Sequence, residues 1–168
     1  GLQKLSRGRF VLGLGSQVKA HIVRRFGLKA GPMGPWMRDY VGAVRAVWDC
    51  WQNGTKLKFE SEHYNLDLMV PLFDSGPIEW SAPPIHIAAL NPYMCSVVGE
   101  VGDGLRPHPV CTPKFIKEVM MPAVEKGAAR SGRDPKNISV VLRPMLATAP
   151  DEERLEARLQ LVDGAREG

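Results

Sequence analysis

Cysteine is scarce in this sequence. Cys50, Cys95 and Cys111 are the only three among 168 residues, far apart and without a Cys-x-x-Cys pair. That excludes a disulfide-stapled scaffold, suggests no metal site, and fits a reducing cytoplasm. Long apolar runs are missing as well: none approaches the roughly 20 residues that cross a bilayer, so no membrane partner is expected, and no secretory leader is read at the start. No sign of charge dominates. Twenty-two Lys and Arg oppose eighteen Asp and Glu for a net +4. The excess is scattered, with Arg24-Arg25 the one notable basic pair, and aromatic residues make up only 7% and are not interleaved with it. A nucleic-acid partner is therefore not expected. Internal repeats and low-complexity segments are absent, as is the Gly-Lys-Ser/Thr ending of a phosphate-binding P-loop.

What is present is enough chain for one ordinary domain with a real core. At its head stands Gly8–Gln17, GRFVLGLGSQ. Phe10, Val11, Leu12 and Leu14 make a short apolar run broken by Gly13 and stopped by Gly15-Ser16. Such a run predicts a strand over Arg9–Leu14, buried on both faces as in a parallel sheet. Gly13 and Gly15 lack Cβ, so a ligand can approach the backbone there. Ser16 adds a hydroxyl, and backbone N–H groups at such a turn can hold a phosphate. By themselves these residues favour the plainer reading, a strand that ends in a glycine turn without a ligand. The third glycine and the immediate helix of a dinucleotide fingerprint are missing.

The remaining pattern alternates. Leu2–Ser6 reads as the tail of a helix stopped by Gly8. After a long connection over Ser16–Pro35, a helix is expected over Trp36–Asn53, with Tyr40, Val41, Val44, Val47, Trp48 and Trp51 on one face and Gly54 as its stop. Leu57–Leu68 reads as an irregular β-hairpin, and the prolines of Pro71–Pro84 as an extended connector. Ile85–Ala89 is a second strand. Asn91-Pro92 then supplies a cap and a first-turn proline for a helix to about Val101. Gly104–Arg106 is a third strand. Thr112-Pro113 repeats the cap signal for a helix to about Arg130, which Pro122 should kink or split. Ile138–Thr148 is a fourth strand, and Asp151-Glu152-Glu153 opens a last helix with Leu155, Leu159 and Val162 on its apolar face. Strands alternating with helices predict βαβ units and a parallel sheet, either four units of a (β/α)₈ barrel or a doubly wound sheet. The chain begins with Gly1 rather than Met and closes inside a helical pattern, so the expectation is one partial domain over residues 1–168, cut at both ends.

Four stretches taken together resemble the luciferase-like monooxygenase family: GRFVLGLGS at Gly8–Ser16, FESEHY at Phe59–Tyr64, PPIHIAALNP at Pro83–Pro92 and GEVGDGLRPH at Gly99–His108. The likeness runs over nearly the whole chain and leans towards the deazaflavin-dependent branch. It implies an α/β fold, a partial TIM barrel from about the fourth to the seventh strand with an inserted hairpin. The implied activity is that of a flavin- or deazaflavin-dependent oxidoreductase, passing hydride or using oxygen to oxidise a small organic substrate. The implied cofactor is coenzyme F420 or FMN, without a metal, and a homodimer is implied for the full-length protein; the fragment alone is expected to be inactive.

The resemblance also places cofactor contacts at Gly15, Ser16 and Gln17, and at Ala88, Ala89, Leu90, Asn91, Pro92 and Tyr93. In one respect the sequence departs from the family: Leu90-Asn91 stands where a glycine usually follows the Ala-Ala pair. His21, after the first glycine turn, and His108, after the third strand, are the weak acid–base candidates; for His21 the plainer reading is a surface loop histidine, and His108, on the active face, is the better of the two. His86, inside the second strand, could face the barrel or the helices. Two other readings stand beside the enzyme: a non-catalytic flavin-binding relative, and a barrel performing lyase or isomerase chemistry on a sugar phosphate. The last would want a Lys or Glu at a strand end, and none shows one clearly.

Overall fold

The computed structural model describes residues 1–144, 146 and 148–164, with side chains described through residue 160. A short helix α1 (Leu2–Leu5) has its cap at Ser6, and Arg7 and Gly8 then turn the chain away with φ of +53° and +80°, the latter a value that glycine adopts easily. Strand β1 (Leu12–Leu14) follows, then a loop holding a π-helical turn at His21–Arg25, and the long helix α2 (Met33–Asn53). The hairpin β2 (Phe59–Glu60) and β3 (Asn65–Leu66) is antiparallel, as its residues suggested. Then come β4 (Ile85–Ala88), α3 (Pro92–Val101) and β5 (Gly104–Arg106). The helical run after Thr112 is α4 (Pro113–Phe115), a π-helical turn (Ile116–Met120) and α5 (Met121–Arg130). Strand β6 (Ser139–Val140) and helix α6 (Glu152–Gly164) close the chain. No described helix is long and apolar enough to cross a membrane.

The strand order is β1-β4-β5-β6 and every neighbouring pair is parallel. The order advances in one direction without the reversal that marks a doubly wound sheet. Apart from the separate β2–β3 hairpin, each strand lies beside the next in the chain, as in a (β/α)₈ barrel, and the chain forms a partial barrel of this kind. Two rows run across it. Leu14, Ile87, Leu105 and Val140 form one; Gly13, His86, Gly104 and Ser139 form the other. Side chains alternate between faces along a strand. The first row and Ile85 meet the helices, where Ile85, Ile87 and Leu105 are fully buried with Val97, Val98, Met120 and Val124. The second row lines the concave face.

The expected boundaries shift for identifiable reasons. Strand β1 is shorter than Arg9–Leu14 and is not buried on both faces: Leu12 and Leu14 are half-buried and Gly13 is exposed, and among the described residues β4 is its only neighbour. Helix α2 starts at Met33 rather than Trp36, because Pro35 falls in the first turn, whose N–H groups have no helical partner to lose. On its apolar face Met37 and Val41 are buried, whereas Tyr40 remains 40% exposed. Pro122 does split its helix, by a π-helical turn that takes up the residue lacking an N–H. Strand β6 stops at Val140, since its single partner β5 is only three residues long; positions 145 and 147 of the expected strand lie outside the described residues. In α6, Leu159 is 46% exposed, and Val162 lies beyond the described side chains.

Two devices hold the layers together. Helices α3 and α5 cross at Gly99 and Gly127. A Cβ on Gly127 would sit 2.7 Å from the Ser96 carbonyl carbon, and one on Gly99 would sit 2.7 Å from the Ala128 nitrogen. The other device is Asp103, in the turn before β5. Its carboxylate accepts from the Ile85 N–H at 2.9 Å, from Arg45 at 2.8 Å and from Arg133 at 3.1 Å. Its own N–H donates to Ile85 O, and its carbonyl accepts from Ser139 N–H at 3.1 Å. Arg133 also caps the end of α3, donating to the carbonyls of Gly99 and Gly102. Asp103 therefore ties β4, β6, α2 and the segment after α5 together at the N-terminal ends of the strands.

Candidate functional site

The C-terminal ends of β1 and β4 lie side by side. A Cβ built on Gly15 would be 3.6 Å from the Ala88 Cβ, so the two stretches singled out in the sequence form one ledge. Gly15 and Gln17 are exposed and Ser16 is half-buried. Gln17 takes φ +60°, a left-handed conformation unusual for a side-chain-bearing residue, which turns the chain sharply at the ledge. Among the described residues the backbone N–H groups of Ser16, Gln17, Leu90 and Asn91 donate to nothing. Asn91 is the N-cap of α3, its side chain accepting from Met94 N–H at 2.8 Å. Its side chain is thus taken up by the cap, which organises the helix N-terminus. Pro92 has no N–H to give. Ala88 and Leu90 are exposed while Ala89 is buried. The Tyr93 ring turns towards α2: Gly34 leaves room for it, and Arg38 donates to its hydroxyl at 3.2 Å. Free N–H groups, an exposed glycine and a hydroxyl at the lip of a barrel suit a phosphate-bearing ligand.

His21 opens the π-helical turn and lies within hydrogen-bond distance of Gln17, Nδ1 to Oε1 at 3.3 Å, which places it beside the ledge. His108 is exposed, and its Nδ1 accepts weakly from the Val110 N–H at 3.4 Å. His86 faces the barrel interior. It is buried, flanked in register by Gly13 and Gly104, and a Cβ on Gly104 would be 2.6 Å from its Nε2. Its Nδ1 meets Arg106 Nε at 3.2 Å and its Nε2 meets Ser139 Oγ at 3.2 Å. Burial lowers its pKa first, and the Arg106 charge lowers it further against the opposing pull of Asp103. The ring is therefore neutral at pH 7. The tautomer follows from the partners. Arg106 can only donate, so Nδ1 is the acceptor and Nε2 carries the proton towards Ser139. The Ser139 hydroxyl in turn donates to Asp103 O at 3.3 Å.

Sequence reasoning singled out neither Arg106 nor Ser139. A signal existed: in Ile85-His86-Ile87-Ala88 the period of two puts His86 opposite the core-facing isoleucines, and Arg106 falls on that same concave face. Among the described residues no three His, Cys, Asp or Glu side chains gather where a metal ion could be held. A concavity of about 720 Å³, lined by Arg45, Trp48, Pro84, His86, Asp103 and Ser139 among others, opens towards the N-terminal ends of the strands, so His86 and Ser139 border it as well.

With the geometry in place, comparison with known proteins is decisive. A model of the luciferase-like monooxygenases matches residues 1–166. The chain belongs to this family. Within it, the chain is 42% identical over 156 residues to an uncharacterised protein of Mycobacterium tuberculosis, covering 93% of this chain and 46% of that protein. It is 28% identical over 125 residues to the F420-dependent glucose-6-phosphate dehydrogenase of the same species, covering 70% of this chain and 32% of the enzyme. Two solved structures share its fold: an F420-dependent secondary alcohol dehydrogenase (TM-score 0.66, 22% identity, 84% and 41% covered) and the coenzyme F420-dependent tetrahydromethanopterin reductase of Methanopyrus kandleri (TM-score 0.67, 21% identity, 92% and 46% covered). The luciferase-like chain described here thus spans less than half the length of these relatives.

Proposed function

We propose that this chain is the cofactor-holding part of an F420-dependent oxidoreductase that acts on a small organic substrate in a reducing cytoplasm. The observation that carries the reading is the ledge, where Gly15 and Ala88 bring two strand ends together beneath unused backbone N–H groups. The F420-dependent relatives favour a deazaflavin over FMN, although both cofactors carry a phosphate group on the side chain of the ring. When bound, F420 supplies hydride transfer. Within Gly15–Gln17 and Ala88–Tyr93, the free N–H groups of Ser16, Gln17, Leu90 and Asn91 and the Ser16 hydroxyl would hold its phosphate-bearing tail, and the cap at Asn91 keeps the start of α3 aimed at that charge. His21, beside Gln17, covers the ligand's edge. His108, after β5, stands at the same mouth as the proton donor or acceptor to be tested first. The three cysteines are free and buried, which suits a reducing compartment. The test is titration of the full-length protein with F420 and with FMN, followed by fluorescence. Saturable binding of F420, at least tenfold tighter than FMN, is expected. Failure of F420 to bind would overturn the reading.

A further inference from the structure

Four arginines that tie the helices to one another and to the turn before β5 are paired with carboxylates. Arg38 and Arg130 share Glu100, and Arg45 and Arg133 share Asp103. Arg106 breaks the pattern. It ends β5, in register with Ala88 at the ledge, and is half-buried on the concave face. Among the described residues it forms no ion pair, and its single hydrogen bond runs from Nε to His86. Ala88 is its partner in register, and the adjoining row on that face holds Gly13, His86, Gly104 and Ser139, none of which is a carboxylate. A half-buried guanidinium on that face, unpaired among the described residues, is available to an anion. It is also aimed. The hydrogen bonds run one way, from Arg106 Nε to His86, from His86 to Ser139 and from Ser139 to Asp103 O. This chain uses only the inner edge of the guanidinium. The two terminal nitrogens remain unbonded among the described residues and form the fork that grips carboxylates and phosphates two-handed.

We propose that Arg106 is a substrate-binding residue that grips an anionic group, a carboxylate or a phosphate, on the molecule oxidised or reduced at the barrel mouth. His86 and Ser139 are positioning residues that fix the angle of the fork. This rests on the oxidoreductase reading for the word substrate, but not for the anion site itself.

The test uses the full-length protein and inorganic phosphate as the probe, with calorimetry for phosphate and fluorescence quenching for F420. Phosphate is expected to bind the wild type with a millimolar Kd. Arg106→Gln should weaken it at least tenfold while leaving F420 affinity within twofold. Arg106→Lys keeps the charge and guards against a folding artefact; it should lose less, about three- to fivefold, because the fork is gone. Phosphate should also raise the pH midpoint of the His86 ring resonances, since a bound anion offsets the Arg106 charge, and Ser139→Ala should reduce that shift. Unchanged phosphate binding in Arg106→Gln overturns the proposal, as does no phosphate binding in the wild type, which would mean that a carboxylate of the protein already fills the fork. Competition between phosphate and F420, with both lost in Arg106→Gln, overturns it too, by assigning the anion to the cofactor. If F420 fails to bind the wild type while phosphate still depends on Arg106, the functional reading falls and the anion site stands.

Discussion

Replacing Gly15 by alanine separates folding from ligand approach at one atom. The added Cβ would lie 3.6 Å from the Ala88 Cβ, an ordinary van der Waals contact, and Gly15 is not among the glycines with positive φ. The fold should therefore accept the methyl, and removing a glycine from the unfolded chain adds about 0.4–1 kcal/mol of stability. A phosphate drawn onto the Ser16 and Gln17 N–H groups would not accept it. Losing one charge-assisted hydrogen bond is worth about 1.5–3 kcal/mol, which is roughly 10- to 150-fold in affinity. Ser16→Ala removes a hydroxyl but leaves the backbone open, so it should cost less, about tenfold. The assay is F420 fluorescence quenching on the full-length variants, with a thermal melt alongside. Wild-type affinity in Gly15→Ala, together with an unchanged melt, would refute the placement of the phosphate on this ledge.

Gly127→Ala should do the reverse. Its Cβ meets the backbone of Ser96 at 2.7 Å, a contact no rotamer can relieve, so α3 and α5 must part. A loss of about 2 kcal/mol or more is expected from overpacking, read from the urea midpoint; a loss below about 0.5 kcal/mol would count against the crossing as described. Acid should also loosen the fold through His86. Its pKa is lowered in the folded state, so below the ordinary value of about 6.5 the unfolded chain binds the proton more readily. Stability is then full above that value and falls as pH drops through the window down to the lowered folded value. Urea midpoints at pH 7.5 and 5.5 should differ in the wild type and differ less in His86→Gln; equal slopes would show that His86 is not the group responsible.

Much of the architecture was legible because local signals agreed with one another. Asn91-Pro92 and Thr112-Pro113 announced helix starts, and both side chains do cap, accepting from Met94 and Phe115 N–H. Gly104–Arg106 forms the strand its residues suggested. What misled was context that local pattern does not carry. An apolar run such as Phe10–Leu14 looks alike on a central or an edge strand, and the extent of β6 is set by a partner 35 residues earlier in the chain. The ledge was legible because glycine and cap signals mark strand ends. The Arg106–His86–Ser139 chain was not, because its members lie on three separate strands and meet only once the register is set.

The junction at Asp103 has a consequence for how such a protein can change over time. Its ion pairs and backbone bonds gather at one pole of the sheet, whereas Ser16, Leu90 and His108 lie at the other, where barrel chemistry is done. Substitutions at the mouth leave the junction untouched. The fold can therefore be inherited nearly whole while ligand preference drifts, and a change at Asp103, far from any ligand, would be selected against for every substrate alike.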